Sequence, residues 1–285
     1  MLRLRLLRCF SGAAPPALHC VAVSPPSPSA LPPVVFLHGL LGSSTNFRTV
    51  QQAVARHRPT LAYDLRNHGR SPHTRGAATL DDLAGDVGAA LAELPGGARY
   101  TRVGHSLGGK VAMRLALARP ELCHSLCVVD IAPAAYDTAS EGWRAVQGVV
   151  RAASALDPSR HASRGEVDRA LAALVPDPGV RSFVAQNLVP LPSGGFAWRL
   201  GWESILASMP HFAAWPSHAP AAPGLRAHFI RGTASTYISE RNEGALRATF
   251  PGAQLHSVQA GHWVHAENPR DFMAVLRGVL ELPAE

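Results

Sequence analysis

The residues Gly104-His105-Ser106-Leu107-Gly108 stand between an apolar run that ends at Val103 and a run with helical spacing from Gly109 to Arg119. A serine hydroxyl is a weak nucleophile until a neighbouring base takes its proton. A tight turn from strand to helix lifts its Oγ clear of the sheet and aims the positive end of the helix at the negative charge that develops there. Side chains two residues to either side would collide in such a turn, which is the use of Gly104 and Gly108. With 25 glycines in the chain, a bare G-x-S-x-G carries little weight, so the flanking strand and helix decide the reading. The chemistry expected is acyl transfer through a covalent intermediate on Ser106.

Such a serine needs a base, and His262 in Gly261-His262-Trp263 is the first of the 14 histidines after the last expected strand, ahead of the last expected helix. His265 lies one helical turn further, but a His-x-x-His pair without a third ligand is a poor metal site, so no metal is expected. The base needs a carboxylate to fix its tautomer. The loop after the strand 227–231 reads Gly232-Thr233-Ala234-Ser235-Thr236 and holds none. Asp130 ends the strand Val128-Val129-Asp130, which brings its carboxylate to the same sheet edge as Ser106, and it is the preferred acid. Glu203 in Trp198-Arg199-Leu200-Gly201-Trp202-Glu203 is the alternative, and Glu240 reads as the start of a surface helix. Two backbone amides must meet the oxyanion: that of Leu107, after the nucleophile, and one from His38-Gly39-Leu40-Leu41-Gly42-Ser43, for which Leu40 is the candidate. The polar run Asp64 to Ser71 reads as a structural turn near the floor of the site.

The elements that would carry these residues alternate. Strands are expected at 34–37, 60–63, 100–103 and 126–129, with helices at 47–56, 80–94 and 109–119 between them. That order implies an α/β fold, a mostly parallel sheet flanked by helices. From about 134 to 225 the strand signal stops, and helix-like stretches are broken by Pro158, Pro176, Pro178, Pro190, Pro192, Pro210 and Pro216. This reads as a helical cap inserted at 134–225 into a core made of 33–133 and 226–285. The rhythm resumes with a strand at 227–231, a helix over 242–249, a strand at 254–258 and a helix at 269–280. Trp143, Trp198, Trp202, Phe212 and Trp215 fall in the cap, where they either pack onto the body or line an acyl pocket.

Across the 285 residues the composition is 47% apolar and 16% charged, a globular balance, and no apolar run of membrane-spanning length occurs. The formal charge of +7 is not gathered into a stripe or interleaved with aromatics, so nucleic acid is not an expected partner. No acidic residue precedes Asp64, and Arg3, Arg5 and Arg8 lie among leucines at the start. That is an Arg-rich, acid-free leader, with the arginines interrupting the apolar core that a secretory signal needs. Residues 1–10 are expected to be a mitochondrial presequence cut near Phe10, and 11–32 a Pro/Ser-rich approach with 18–23 as its one candidate strand. Cys9, Cys20, Cys123 and Cys127 have neither zinc nor redox spacing.

Taken together, His38-Gly39, the run Asp64 to Ser71, Gly104 to Lys110, Asp130-Ile131-Ala132-Pro133 and Gly261-His262-Trp263 resemble the α/β-hydrolase-domain family, and within it a mitochondrial branch and its small bacterial esterase relatives. The resemblance runs from about Pro33 to Leu280. It implies the α/β-hydrolase fold, esterase or acylglycerol lipase activity including on diacylglycerols, no cofactor, and a matrix location. Leu107 stands where those relatives often carry Met, a harmless change because the backbone N–H does the work. A thioesterase, or a non-catalytic binding partner of a mitochondrial enzyme complex, is the competing expectation.

Overall fold

A computed structural model describes residues 15–94, 97–217 and 221–283. The expected presequence lies outside the described residues. Nine strands and ten α-helices follow one another among the described residues as β1 (Cys20–Val23), β2 (Val34–Leu37), α1 (Arg48–Val54), β3 (Thr60–Tyr63), α2 (Leu80–Ala92), β4 (Tyr100–His105), α3 (Leu107–Ala118), β5 (Cys123–Val129), α4 (Glu141–Ala155), α5 (Arg164–Ala172), α6 (Pro178–Ala185), β6 (Leu188–Pro190), β7 (Phe196–Trp198), α7 (Trp202–Ala213), β8 (Ala227–Gly232), α8 (Glu240–Thr249), β9 (Gln254–Val258), α9 (Val264–Glu267) and α10 (Pro269–Val279).

Seven strands form one sheet in the order β1-β3-β2-β4-β5-β8-β9, and every pair in it is parallel except the edge pair β1–β3. The approach segment thus supplies an edge strand, with Cys20 opposite Tyr63, so the sheet begins upstream of Pro33. Leu37 pairs with Gly104, Gly104 with Val128 and Val129 with Ile230, which brings the carboxyl ends of β2, β4, β5 and β8 level. The loops after these ends carry His38 to Ser43, Ser106, Asp130 and Gly232 to Ser235. Ligands of open parallel sheets bind beyond the carboxyl ends where the strand order reverses. Here the reversal is at β2 and β4.

Alternate residues of each central strand feed opposite faces, as the two-residue period of a strand requires. Val35, Leu37, Leu126 and Val128 pack with Leu83 and Val87 of α2 and with Val111 and Leu115 of α3. Val34, Phe36, Val103, Cys127 and Val129 pack with Val50 and Val54 of α1 and with Phe272, Leu276 and Val279 of α10. The central strands are buried on both faces and so read as unbroken apolar runs. Helix α2 starts at a capping box, in which the Thr79 hydroxyl accepts the Asp82 N–H (3.1 Å) and the Asp82 carboxylate accepts the Thr79 N–H (2.8 Å).

Between β5 and β8 lie α4 to α7 and a hairpin, β6–β7, in which Leu188 pairs with Trp198 and Pro190 with Phe196. The sequence reading has no strand here. Each arm is three residues long, too short for a periodic signal. The informative feature is the turn, where Gly194 (φ 89°) and Gly195 (φ 73°) take up left-handed backbone that glycine tolerates. A second correction concerns Pro210, expected to break a helix. Helix α7 runs through it. The carbonyl left without its N–H is that of Leu206, an exposed residue. Helix α3 also begins earlier than the expected 109, directly after Ser106.

Candidate active site

Ser106 closes β4 and caps α3 with φ 51° and ψ −119°, a backbone conformation rare for any residue with a side chain. It holds because the turn is packed tightly beneath it. A Cβ on Gly104 would overlap the Gly108 carbonyl, and one on Gly108 would overlap the Leu37 carbonyl. Leu107 is the first residue of α3, so its N–H has no partner within the helix and points out with the positive end of the dipole.

The loop after β2 passes over this turn, since a Cβ on Gly39 would stand 3.3 Å from Ser106 Cβ. His38, 1% exposed, anchors it. Its Nε2 accepts the Leu65 N–H (2.9 Å), so Nδ1 carries the proton and donates to the Gly39 carbonyl (2.7 Å). Burial lowers the His38 pKa and keeps the ring neutral. Leu41 has φ 60°, the Gly42 N–H donates to the Gly39 carbonyl (3.0 Å), and Asn187 in the cap donates to the Leu41 carbonyl (2.8 Å). Leu40 and Leu107 line the same cavity as Ser106. Asp64 accepts the Ser44 N–H (2.5 Å) and the Arg70 N–H (2.8 Å), while Arg66 pairs with Asp86 (2.5 Å). These residues brace the floor and do not line the cavity.

Asp130 follows β5 with φ 52° and is fully buried. Its Oδ2 lies 2.7 Å from His262 Nδ1, so the imidazole donates from Nδ1 and Nε2 is left unprotonated, the tautomer that a general base needs. Two further donors hold the carboxylate. The Gly232 N–H reaches Oδ1 (3.0 Å) and the Ser235 hydroxyl reaches Oδ2 (2.5 Å). Ser235 sits in the loop that lacks a carboxylate, and sequence reasoning gave it no role. The loop supplies donors to an acid from the neighbouring strand. Glu203 is exposed on the first turn of α7, outside the cavity, and Glu240 begins α8.

His262 is held on two more sides. The ring of Tyr237 lies 4.2 Å away, and His105 Nε2 donates to the His262 carbonyl (2.9 Å). Burial pushes the His105 pKa well below the usual histidine range, so it stays a neutral strut between the end of β4 and the loop that carries His262. His265 packs edge-on to His105 (4.9 Å) and against Phe47 (4.8 Å). Among the described residues no group of three or more His, Cys, Asp or Glu side chains could hold a metal ion.

Ser106 and His262 both line a cavity of about 300 Å³. Its roof is apolar, with Trp143, Val146 and Val149 at helical spacing on α4 and Val180, Phe183 and Val184 on α6. Of the cap aromatics, Trp143 and Phe212 face the cavity. Trp198 and Trp202 pack edge-to-face (5.6 Å) away from it, and Trp215 lies under Arg114 (5.9 Å). Trp263, beside His262, also lines the cavity and meets Phe183 of the cap (5.6 Å).

Comparison with known proteins agrees with this architecture. The chain is 36% identical over 256 residues to the mouse sn-1-specific diacylglycerol lipase ABHD11, covering 88% of this chain and 82% of that one. It is 31% identical over 253 residues to the Escherichia coli esterase YbfF, covering 87% and 91%. A solved marine microorganism esterase superposes with a TM-score of 0.87 at 27% identity, covering 93% of this chain and 99% of that one. Residues 32–269 match the family described as alpha/beta hydrolase fold, and the chain belongs to that family.

Proposed function

We propose that the protein is a serine esterase or lipase that cleaves carboxylic esters of acyl lipids, acylglycerols among them, through an acyl-enzyme on Ser106. The observation that carries this reading is a serine on a strained elbow sharing one apolar cavity with a histidine whose Nδ1 is bonded to a buried carboxylate. The relatives named as an esterase and as a diacylglycerol lipase support the reaction class and the lipid substrate.

In this mechanism His262 Nε2 takes the Ser106 proton as Oγ attacks the acyl carbonyl, and Asp130 stabilises the imidazolium that forms. The oxyanion is met by the amides of Leu107 and Leu40, each worth roughly 10²–10³ in rate in such sites. Collapse of the tetrahedral intermediate breaks the ester C–O bond, and His262 returns the proton to the departing alcohol. A water, activated by the same base, then releases the fatty acid and regenerates Ser106. The apolar roof accommodates the acyl chain.

Turnover of a panel of esters and thioesters of graded chain length, by wild type and Ser106→Ala, tests the proposal. The wild type is expected to hydrolyse medium-chain esters and the variant to lose on the order of 10⁶ in kcat. A variant that retains wild-type turnover would place the nucleophile on another residue, and a wild type inert to the whole panel and to fluorophosphonates would leave a non-catalytic binding role. The Arg-rich leader supports import into mitochondria with cleavage near Phe10. Protein recovered from mitochondria should then begin close to Ser11, and a start at Met1 would contradict it.

A further inference from the structure

Lys110 stands one turn behind Ser106 on α3, and its amide donates to the Ser106 carbonyl (3.1 Å). The residue is 1% exposed, and among the described residues no carboxylate pairs with it. Its Nζ instead donates to the carbonyls of Phe212 (3.0 Å), Ala213 (2.9 Å) and Ala214 (3.0 Å), and it lies 4.7 Å from the centre of the Tyr136 ring. These carbonyls are the end of α7, where no N–H further along the helix reaches them and the helix dipole is negative. An ammonium has three N–H donors and meets three acceptors here. A neutral amine would turn its lone pair on one of them.

A buried lysine is a costly way to fill space that a methionine would fill without desolvation. Burial lowers its pKa to about 7, and the three carbonyls oppose that by favouring the charged form. What the arrangement achieves is a joint between the helix that carries the nucleophile and the last helix of the cap. Lys110 itself borders the cavity, as do two of its partners: Phe212, whose carbonyl is bonded, and Tyr136, whose ring the ammonium faces. Tyr136 is tied further, its N–H to the Ala213 carbonyl (2.9 Å) and its hydroxyl to the Tyr237 carbonyl (2.7 Å), while Tyr237 packs on His262.

We propose that Lys110 is a positioning residue for acyl-chain recognition: it clamps the C-terminal end of α7 to the nucleophile helix and so sets where Phe212 and Tyr136 stand in the cavity wall. The proposal rests on the esterase reading of the cavity. A lysine that served stability alone would, when replaced, lower activity toward all esters in the same proportion. A positioning lysine changes discrimination between long and short chains, because a short acyl group does not reach the displaced wall.

The experiment is steady-state kinetics of wild type, Lys110→Gln and Lys110→Arg on p-nitrophenyl octanoate and p-nitrophenyl acetate, with near-ultraviolet circular dichroism as the check on folding. Lys110→Gln is expected to lower the octanoate-to-acetate ratio of kcat/KM by about tenfold, the size of selectivity an apolar pocket commands, mainly through a higher KM for octanoate. Lys110→Arg, which keeps charge and donors, should recover part of that ratio. A folded Lys110→Gln whose ratio stays at the wild-type value overturns the proposal while leaving the esterase reading intact. Should Lys110→Gln not fold, Phe212→Ala decides, since displacing the same wall must produce the same fall in ratio and an unchanged ratio overturns the clamp. Wild-type protein inert to both esters and to a fluorophosphonate overturns both readings.

Discussion

At the scale of single residues, the acid is the informative case. Asp130 and Glu203 are both open from the sequence, and the geometry favours Asp130 as the proposed acid: its Oδ2 lies 2.7 Å from His262 Nδ1, while Glu203 is exposed on α7. Asp130→Asn should preserve the shape but cost up to roughly 10⁴ in kcat, because an amide that donates toward Nδ1 selects the wrong tautomer. Glu203→Gln should leave kcat near wild type. The reverse pattern in the two purified variants would move the acid into the cap. Ser235 supplies a hydrogen bond to the same carboxylate oxygen. Hydrogen bonds to charged groups contribute about 1.5–3 kcal/mol, so Ser235→Ala should lower kcat by roughly tenfold or more with little change in KM. An unchanged kcat would remove Ser235 from the machinery. The role was hidden in the sequence because a hydroxyl in a Gly-Thr-Ala-Ser loop is an ordinary turn residue until the carboxylate it serves is located in space.

At the scale of elements, legibility followed burial. Strands buried on both faces, such as Val34–Leu37 and Cys123–Val129, read as apolar runs bounded by turn residues, and helices α2, α3 and α10 read from their periodicity. The arms of the cap hairpin offered no such signal, being three residues long and half exposed. Helix α7 escaped because a proline on its exposed side is tolerated once tertiary packing holds the rest. Strand β4 contains a residue that its pattern does not explain. Arg102 is fully buried between Val35 and Leu126, and among the described residues none of its three guanidinium nitrogens has a hydrogen-bond partner. Burial lowers its pKa, with Cys123 and Glu121 acting in the opposite direction. Replacing buried charge by apolar volume is often stabilising by about 1–4 kcal/mol. Arg102→Met should therefore raise the urea midpoint with an unchanged slope, and a lowered midpoint would mean that the guanidinium contributes more than its desolvation costs.

At the scale of the whole molecule, neutral histidines buried around the site couple folding to acidity. Burial lowers His68 to about 3 and His265 to about 4 from an ordinary 6.5, and it lowers His38 and His105 as well. The folded state disfavours the protonated ring, so between these values and 6.5 the unfolded chain binds more protons. The stability these groups contribute is complete above about pH 6.5 and declines as pH falls, by up to about 1.4 kcal/mol per unit for each group. Urea midpoints should drop between about pH 7.5 and about pH 5, before most carboxylates titrate, and a flat profile would contradict the buried neutral state. The sheet, the cap and these struts surround one hydroxyl, and the most direct test is to trap the acyl-enzyme proposed to form there. A medium-chain p-nitrophenyl ester mixed with enzyme, quenched in acid and digested, should yield the peptide containing Ser106 heavier by one acyl group, with a matching burst of nitrophenol, and neither signal in Ser106→Ala. Steady turnover with the acyl group on another residue, or with no adduct and an undiminished Ser106→Ala rate, would contradict it.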